Sequence, residues 1–469
     1  MAVFFVGIIV IRYKDFADLV NRMSASNPEK EALLVYQGAG GVRAFSWAEF
    51  AALVQDRADD LAGHEDACEA ILVDGSLESV VEVFAAVKAG LQVVLVDPLI
   101  PNEVMVPLLH SVDASRVWAR GANRQIELEK SLKPGAVPAY GAHGVLFFTS
   151  GTTSLSKAVV LTDESLMASA YNGASLMPLA QEDTLLCMLP LSHVFGFVCG
   201  LLWGLACGAS VALGRGARYY VDDLVLFEPT AVALVPKLLE FLVAREALNE
   251  NLKLVLVGAA DCKDSLLDTI RQRGIRASLG YGLTETSSGL ALSCGDDFHA
   301  MTVCPDDTVT IAEDGEILVS APTCIMQGYY RDAEKTALTI RDGILHTGDR
   351  GFFDDYGLLH VQGRLKDVIT LSSGTKVYVP EYEEAIREAL GEQDIAVILN
   401  QDQLMLVCGS SACEFSESEI MKSLERAMSK RPPSSRIAKI VCIGHALPRT
   451  AAGDVERWKI QEELKHGNC

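Results

Sequence analysis

The chain has 469 residues, of which 49% are hydrophobic and 22% charged, a composition typical of a folded protein with a large core. Its formal net charge of −22 argues against broad, nonspecific binding of nucleic acids, which requires a basic surface. A single anionic ligand remains compatible with this charge, because a local group of N–H donors and a cation can bind a nucleotide.

The N-terminal segment Met1–Ile11 is apolar from Val3 to Val10, and we predict a strand or helix packed on the body of the protein. It is too short to cross a bilayer, and it lacks the basic flank and cleavage site of a signal peptide. We expect no membrane span elsewhere. The 12 cysteines form no CxxC pair, so we expect reduced thiols in a cytoplasmic protein.

Short β-rich runs then alternate with helical patterns. Ala70–Val73 predicts a strand, Leu77–Ala89 a helix and Gln92–Val96 the next strand. Such alternation indicates βαβ units around parallel sheets, and we predict an α/β fold with two βαβ-rich subdomains. Further apolar runs predict strands at Val145–Thr149, Ser210–Leu213, Ala231–Val235 and Leu254–Val257.

The pattern changes after Gly315, where glycine-rich turns separate short strands. The strands predicted at Glu316–Ser320, Gly343–Thr347 and Gly357–Gln362 indicate a small, antiparallel, β-barrel-like subdomain. The polar segment Gly363–Asp367 is interpreted as a hinge.

Beyond the hinge we predict a small α+β domain. Its elements are helices at Pro380–Leu390 and Glu417–Lys430 and strands at Ile395–Leu399 and Leu404–Cys408. We place the boundary so that residues 1–365 form a large N-terminal domain and residues 366–469 a mobile C-terminal lid.

A loop rich in hydroxyl groups follows the strand predicted to end at Thr149. Residues 146–157 read Leu-Phe-Phe-Thr-Ser-Gly-Thr-Thr-Ser-Leu-Ser-Lys, which differs from the GxxxxGK[ST] pattern. Its O–H and N–H donors can surround phosphate oxygens, although a Ser/Thr-rich surface turn is the alternative. The candidate phosphate-binding residues are Thr149, Ser150, Gly151, Thr152, Thr153 and Lys157.

This loop resembles the phosphate-binding loop of the adenylate-forming superfamily of acyl-CoA synthetases, peptide-synthetase adenylation domains and luciferases. The superfamily pattern is [YF]TSGTTGxPKGV, from which the chain departs at Ser154, Ser156 and Ala158. Because several motifs match in the superfamily's order, the resemblance is far more specific than any one of them. The further matches are PLSHVFG at Pro190–Gly196, YGLTE at Tyr281–Glu285, HTGD at His346–Asp349 and GRLKD at Gly363–Asp367.

The resemblance, strongest to acyl- and aryl-CoA ligases, implies an AMP-forming acid–thiol ligase. ATP would activate a small carboxylic acid as an acyl-adenylate, and the acyl group would pass to coenzyme A or to the phosphopantetheine arm of an acyl carrier protein. Two anions meet in adenylation, so the site must neutralise charge and orient the attack. Mg²⁺ is the usual shield for the phosphates. The oligomeric state stays open.

The YGLTE segment supplies several of the implied roles. Glu285 would be the Mg²⁺ ligand, and Thr284 would donate its hydroxyl to the α-phosphate. Tyr281, followed by Gly282, offers a flat face for adenine. A second segment would lie against the other adenine face, although the residues alone fit a tight turn equally well. That segment consists of Gly258, Ala259 and Ala260.

Other implied roles fall on separate segments. Asp349 would accept the ribose hydroxyls, and Arg364 would contact ribose or phosphate. His193 lies where the carboxylate would approach, although a lone His between apolar runs is commonly a core residue. Lys366 would lie at the hinge, and Gly374 where the pantetheine tunnel would pass.

The late superfamily motif, PxTxxGK, is broken. The chain reads Pro-Arg-Thr-Ala-Ala-Gly-Asp from Pro448, so Asp454 stands where the adenylation lysine is expected. A carboxylate there would repel both substrates. Three interpretations follow: Lys459 substitutes; adenylation is slow, or the enzyme mainly runs the thioester half-reaction; or the chain is a degenerate, nucleotide-binding regulatory protein.

The substrate is expected to lack an α-amino group. Amino-acid-activating members carry an Asp in the segment aligned with Pro190–Gly196, and this chain has none there. Neighbouring apolar side chains suggest an aryl or fatty acid, unless they are core residues. They are Phe195, Phe197, Val198, Leu201 and Leu202.

Overall fold

The computed structural model describes most of the chain, in two compact units. The N-terminal unit comprises residues 1–149, 157–347 and 351–361, and the C-terminal unit comprises 150–156, 348–350 and 362–469. The described residues are 10–38, 41–64, 67–132, 144–149, 157–260, 262–365, 368–370, 376–390, 394–400, 403–410, 420, 422, 424, 436–449 and 455–465.

The secondary structure mixes helices and strands along the whole described chain. The helices are α1 Phe16–Ser26, α2 Trp47–Leu61, α3 Leu77–Lys88, α4 Asn102–Ser111, α5 Ala122–Glu129, α6 Asp163–Leu176, α7 Val194–Phe197, α8 Trp203–Cys207, α9 Tyr220–Phe227, α10 Pro236–Ala244, α11 Asp264–Gln272, α12 Ala333–Thr339, α13 Val379–Leu390 and α14 Arg457–Lys465. The strands are β1 Glu31–Tyr36, β2 Val42–Ser46, β3 Cys68–Leu72, β4 Gln92–Val96, β5 Arg116–Trp118, β6 Gly144–Phe148, β7 Ala158–Thr162, β8 Thr184–Cys187, β9 Ser210–Leu213, β10 Ala231–Leu234, β11 Leu254–Val257, β12 Arg276–Tyr281, β13 Ala291–Ser293, β14 Met301–Val303, β15 Thr308–Ile311, β16 Glu316–Ser320, β17 Gly328–Tyr329, β18 Ile340–Arg341, β19 Ile344–Phe353, β20 Leu359–Arg364, β21 Val368–Thr370, β22 Lys376–Tyr378, β23 Ile395–Asn400, β24 Gln403–Cys408 and β25 Lys439–Cys442.

Two sheets organise the N-terminal unit. The smaller has the order β17-β7-β6-β4-β3-β5, and β3 to β6 within it are parallel. The larger runs β15-β16-β19-β20-β14-β13-β12-β11-β10-β8-β9-β1-β2, with β18 beside β19. Strands β8 to β12 are parallel, and β12 to β14 are antiparallel. The predicted α/β fold is confirmed, and its antiparallel region continues the large sheet.

The parallel strands are buried on both faces, which explains their continuous apolar sequences. All residues of β4, β10 and β11 are buried. Helix α3 is buried on nearly every side and begins at Ser76, whose hydroxyl accepts a hydrogen bond from the Ser79 N–H. Such a cap satisfies one of the N–H groups that an α-helix leaves unpaired at its start.

The C-terminal unit is built on a small sheet in the order β23-β24-β25, with β21 and β22 forming a separate hairpin. One face of the sheet packs against Tyr382 and Ile386 of α13, and the other against Ile460 of α14. Glu383, also buried, accepts hydrogen bonds from the Val397 N–H and from Arg457. This is the predicted α+β arrangement, while the functional boundary at 365/366 stays a prediction.

Several predictions fall outside the described residues. They concern Met1 to Ile9 of the first element and most of the helix predicted at Glu417–Lys430. Strands β19 and β20 end later than predicted, at Phe353 and Arg364. None of the helices in the described part of the chain combines the length and apolar character that crossing a membrane requires.

Candidate active site

The base of the hydroxyl-rich loop is fixed by a β-hairpin. Strands β6 and β7 pair antiparallel as far as Phe148 opposite Ala158, and the Thr149 N–H donates to the Lys157 carbonyl at 2.9 Å. Both ends of the loop therefore emerge together at the carboxyl end of β6. Four candidate phosphate ligands lie outside the described residues, namely Ser150, Gly151, Thr152 and Thr153.

Three other motifs follow neighbouring strands of the large sheet. The PLSHVFG segment follows β8, Gly258 follows β11 and Gly282 follows β12. Because β8, β10, β11 and β12 are parallel, the carboxyl ends of these strands share one edge. That edge is where ligands bind in open α/β sheets. The topology thus brings together residues that are distant in sequence.

His193 is exposed and stands just before helix α7. Desolvation by neighbouring protein groups lowers the pKa of its imidazole, against the opposite effect of Asp97, which favours the neutral ring. Gly196 packs so closely that a Cβ atom would lie 2.2 Å from the Pro190 carbonyl oxygen. The glycine therefore permits the turn that presents His193.

The Gly258–Ala260 segment forms a tight turn beside Phe195. A Cβ atom on Gly258 would lie 2.9 Å from two atoms of the Phe195 ring, so a larger residue would require that ring to move. Ala259 has a φ of +67°, a conformation that side-chain-bearing residues rarely adopt. The turn exposes Ala259 and Ala260. The turn therefore presents small, uncharged residues, against which a flat ring such as adenine could pack.

The YGLTE segment ends in a strained turn. A Cβ atom on Gly282 would lie 1.5 Å from the Ser288 carbonyl oxygen, and Ser288 itself has a φ of +101°. The buried Ser287 holds this turn by donating to the Cys324 carbonyl at 2.7 Å. A strained backbone conformation of this kind persists only where contacts from the surrounding structure hold it in place, and such positions are common at functional sites. Half-buried Tyr281 ends β12 at the start of the segment.

Glu285 and Lys157 both contact Tyr329, Glu285 at the hydroxyl group and Lys157 at the face of the ring. The Tyr329 hydroxyl donates to Glu285 Oε1 at 2.7 Å, and Lys157 Nζ lies 4.7 Å from the centroid of the Tyr329 ring. Sequence reasoning did not single out Tyr329. The only signal was a tyrosine in a buried β-strand, which requires a partner for its hydroxyl.

Glu285 fits the role of a magnesium ligand. Its second carboxylate oxygen, Oε2, has no hydrogen-bond partner among the described residues. In the described part of the chain, no cluster of His, Cys, Asp and Glu side chains could hold a metal unaided. Mg²⁺ commonly binds through one or two carboxylates, water and substrate phosphates, so a single carboxylate suffices.

Asp349 and Arg364 form an ion pair within the C-terminal unit. Arg364 Nε lies 3.0 Å from Asp349 Oδ1. A buried carboxylate with a charged donor beside it can accept sugar hydroxyls, which fits the role implied for Asp349. Two residues with related implied roles, Lys366 and Gly374, lie outside the described residues.

Asp454 also lies outside the described residues, although its flanks are described. Arg449 and Val455 form a β-bridge, and the Glu456 N–H donates to the Pro448 carbonyl at 2.8 Å. Lys459, on α14, pairs with Glu456 at 2.5 Å. Glu456 therefore competes with any substrate anion for the charge of Lys459.

A small apolar cavity lies behind these motifs. Its volume is ≈ 20 Å³, about the space for one water molecule. Trp203 is fixed there by donating its indole N–H to the Met177 carbonyl at 2.9 Å. A methyl group added at Gly173 or Gly289 would meet open space. The lining includes Gly173, Met177, Val198, Cys199, Trp203 and Gly289.

The apolar residues that suggested an acyl pocket divide into two groups. Val198 lines the cavity, whereas Phe197 packs against the rings of Phe16 and Phe147. Leu201 and Leu202 are fully buried in the core. Cys199 lies in a π-helical turn, Val198–Leu202, and burial raises the pKa of its thiol to about 11. It offers the cavity a neutral sulfur, not a thiolate nucleophile.

Comparison with known proteins places these observations in a family. Residues 20–330 match the model of the AMP-binding enzyme family. The 2-succinylbenzoate–CoA ligase of Listeria monocytogenes is 29% identical over 336 residues, 68% of this chain and 69% of the relative. A Mycobacterium tuberculosis 3-[(3aS,4S,7aS)-7a-methyl-1,5-dioxo-octahydro-1H-inden-4-yl]propanoyl:CoA ligase is 30% identical over 345 residues, 68% of this chain and 66% of the relative.

A solved structure shares the fold. The O-succinylbenzoate coenzyme A synthetase of Bacillus subtilis, in complex with AMP, superposes with a TM-score of 0.77 at 22% identity. The match covers 94% of this chain and 98% of that chain. The described elements therefore share the fold of this enzyme.

Proposed function

The chain belongs to the AMP-binding enzyme family, and on this premise we propose that it activates a carboxylic acid with ATP and Mg²⁺ and transfers the acyl group to coenzyme A. The predicted class, an AMP-forming acid–thiol ligase acting on acids without an α-amino group, is confirmed by the family and by the CoA ligases among the relatives. The identity of the acid and the choice of coenzyme A as the acceptor are what we propose.

One observation carries the nucleotide part of the proposal. Lys157, at the base of the loop, and Glu285, at the end of the YGLTE segment, contact the same tyrosine. A cation for phosphate oxygens and a carboxylate for a metal are the two charges that a metal–triphosphate complex requires. Glu285 would hold the Mg²⁺, whose charge would offset that of the phosphates.

The other roles follow from the same assignment. The loop hydroxyls and Lys157 hold the phosphates, and Thr284, whose hydroxyl has no hydrogen-bond partner among the described residues, donates to the α-phosphate. The turn at Gly258–Ala260 and the ring of Tyr281 receive the adenine, and Asp349 receives the ribose. His193 borders the entrance for the acid, and its lowered pKa favours the neutral ring there.

We propose that the apolar cavity is the inner end of the acid site. Its walls come from the helix that follows His193 and from Gly289, four residues beyond Glu285. With ≈ 20 Å³ of space, it accepts only the far end of a compact apolar group. Relatives named for 2-succinylbenzoate suggest aryl acids as the first to test.

The test is pyrophosphate release with ATP, Mg²⁺ and a panel of aryl and short-chain fatty acids, with and without coenzyme A. Release that depends on one group of acids, and acyl-CoA formed from the same acids, supports the proposal. Acyl transfer only to a phosphopantetheine-bearing carrier protein would replace coenzyme A as the acceptor.

A second candidate function, a noncatalytic nucleotide-binding regulatory protein, is favoured by Asp454. It predicts tight binding of ATP or AMP and no pyrophosphate release with any acid. The cytoplasmic location and a carrier-protein partner stay predictions, and the oligomeric state stays open.

A further inference from the structure

Tyr329 is held rigidly in the N-terminal unit. It lies in β17 opposite Val159 of β7, and its side chain is almost wholly buried. Its backbone N–H donates to the Thr336 hydroxyl at 2.9 Å. The position of the Tyr329 side chain is therefore restricted, and so are the groups that its hydroxyl and ring can contact.

The hydroxyl of Tyr329 fixes one oxygen of Glu285. A phenol that donates to a carboxylate at 2.7 Å forms a charge-assisted hydrogen bond, which is stronger than one between neutral groups. This bond engages Oε1 of Glu285 and restricts the movement of the carboxylate, so Oε2 is left for a cation. A hydrogen-bond partner that orients a metal ligand in this way typically strengthens metal binding.

The ring face of Tyr329 receives Lys157. The ammonium lies 4.7 Å from the ring centroid, within the range of a cation–π contact. Neither Lys157 nor Glu285 has an ion-pair partner among the described residues. Both charges lie against the same tyrosine, and opposite charges attract more strongly the less water separates them.

We propose that Tyr329 is a positioning residue with two tasks: it orients Glu285 for Mg²⁺, and its ring keeps Lys157 from pairing with Glu285. A direct pair between these residues would neutralise the cation meant for phosphate and the carboxylate meant for the metal. The inference rests on the proposed function, because it concerns the same nucleotide site. In this proposal Tyr329 acts through Glu285 and Lys157.

The experiment is calorimetric titration with ATP, once in EDTA and once in excess MgCl₂, of the full chain and its variants. In Tyr329→Phe the ring stays, so affinity for metal-free ATP is retained, but the gain from Mg²⁺ falls about tenfold. In Tyr329→Leu the ring is lost as well, so affinity for metal-free ATP also falls about tenfold. Electron paramagnetic resonance of Mn²⁺ with ATP gives a signal of bound metal that does not depend on turnover.

The neighbouring tyrosine supplies a matched control. Tyr330 is also buried, and its hydroxyl donates to Asp113 at 2.8 Å, so Tyr330→Phe loses the same kind of bond away from the motif residues. Both ATP affinities should be unchanged in Tyr330→Phe. A wild-type gain from Mg²⁺ in Tyr329→Phe would overturn the inference and leave the proposed function intact. No ATP binding by the wild-type chain would overturn the proposed function and this inference with it.

Discussion

Arg364 Nε lies 3.0 Å from Asp349 Oδ1, although the Asp349 side chain is 6% exposed and that of Arg364 is 49% exposed. A buried carboxylate without a counter-charge is strongly disfavoured, so Arg364 stabilises the ionised form. The implied role of Asp349 is to accept ribose hydroxyls. A bound nucleotide would therefore share or displace the contact that Arg364 now makes.

The first prediction concerns Asp349→Asn. The variant loses the charged acceptor, and ATP affinity should fall about tenfold to a hundredfold. The wild-type chain should bind ATP more tightly than 2′,3′-dideoxy-ATP, because only ATP carries both hydroxyls. In Asp349→Asn this preference should disappear. Calorimetric titration with both nucleotides measures it.

Asp394→Asn is the matched control for Asp349→Asn. Asp394 pairs with Arg449 at 2.7 Å in the same unit, so the variant also removes one carboxylate charge from an ion pair. It should retain the preference for ATP over the dideoxy analogue. If Asp349→Asn retains that preference too, the ribose assignment is wrong.

The second prediction is that Asp454→Lys accelerates pyrophosphate release by several tenfold steps with an accepted acid. A cation in place of a carboxylate would attract the two anions that now meet a negative charge. If Lys459 already substitutes, Lys459→Ala should lower release in the wild-type chain and have little effect in Asp454→Lys. Pyrophosphate assays on all four combinations separate these cases.

Asp355→Lys makes the same change in net charge at an exposed position and is the control. Its rate of pyrophosphate release should equal that of the wild type. An Asp454→Lys variant that behaves like Asp355→Lys would show that residue 454 is not at the catalytic position, or that adenylation does not limit the rate.

The third prediction concerns Gly173→Ala. Because the added methyl group meets open space in the apolar cavity, it should fill the cavity without collision. Alanine inside helix α6 should also stabilise the chain by about 0.5–1 kcal/mol. Acids whose far end enters the cavity should show a raised KM, while shorter acids keep theirs. Thermal unfolding and pyrophosphate assays with the acid panel measure both effects.

The control for Gly173→Ala is Gly295→Ala. Gly295 is exposed, and a methyl group there also meets nothing within 4 Å. Acid preference should match the wild type. An unchanged acid preference in Gly173→Ala as well would mean that the cavity is a packing defect and not part of the acid site.

Part of this site could be predicted from local pattern. Strands buried on both faces are continuous apolar runs, so β4, β9 and β11 coincide with their predictions residue for residue. In β19 and β20, polar and apolar residues mix, and the predicted ends were several residues short. The motif residues were found through resemblance, since spacing along the chain does not reveal which strand ends share an edge.

The contact between Tyr329 and Glu285 could not be predicted in the same way. The residues are 44 positions apart, and they meet because β17 pairs with β7 of the smaller sheet while Glu285 follows β12 of the larger one. Only the tertiary arrangement of the two sheets creates this neighbourhood. The cavity at Gly173 has the same origin, because its walls come from separate elements.

The fourth prediction concerns a buried carboxylate away from the motifs. Burial, and then the neighbouring carboxylate Glu82, raise the pKa of Glu69 from 4.5 to about 8. Arg57 binds both oxygens of Glu82, while Arg116 lies 3.3 Å from a single oxygen of Glu69. Arg57 therefore compensates the charge of Glu82 more fully than Arg116 compensates that of Glu69, in keeping with the raised pKa of Glu69.

Whether stability rises or falls with pH depends on whether the folded or the unfolded chain binds the Glu69 proton more tightly. Between the two pKa values the folded chain retains a proton that the unfolded chain has released, so stability falls as pH rises from about 5 to about 8. Glu69→Gln mimics the protonated acid at every pH. It should be more stable than the wild type near pH 8 and similar near pH 5. Urea midpoints at both pH values measure this.

Two further variants serve as controls for Glu69→Gln. Glu127→Gln, at an exposed position, should follow the wild type at both pH values, because its carboxylate is solvated in either state. Glu82→Gln should be less stable at both, since Arg57 loses the carboxylate that binds it through both oxygens and keeps only the exposed Asp60 at 3.8 Å. A wild-type chain whose urea midpoint stays constant across this range would show that Glu69 is already ionised in the fold, and that Arg57 and Arg116 compensate both carboxylates.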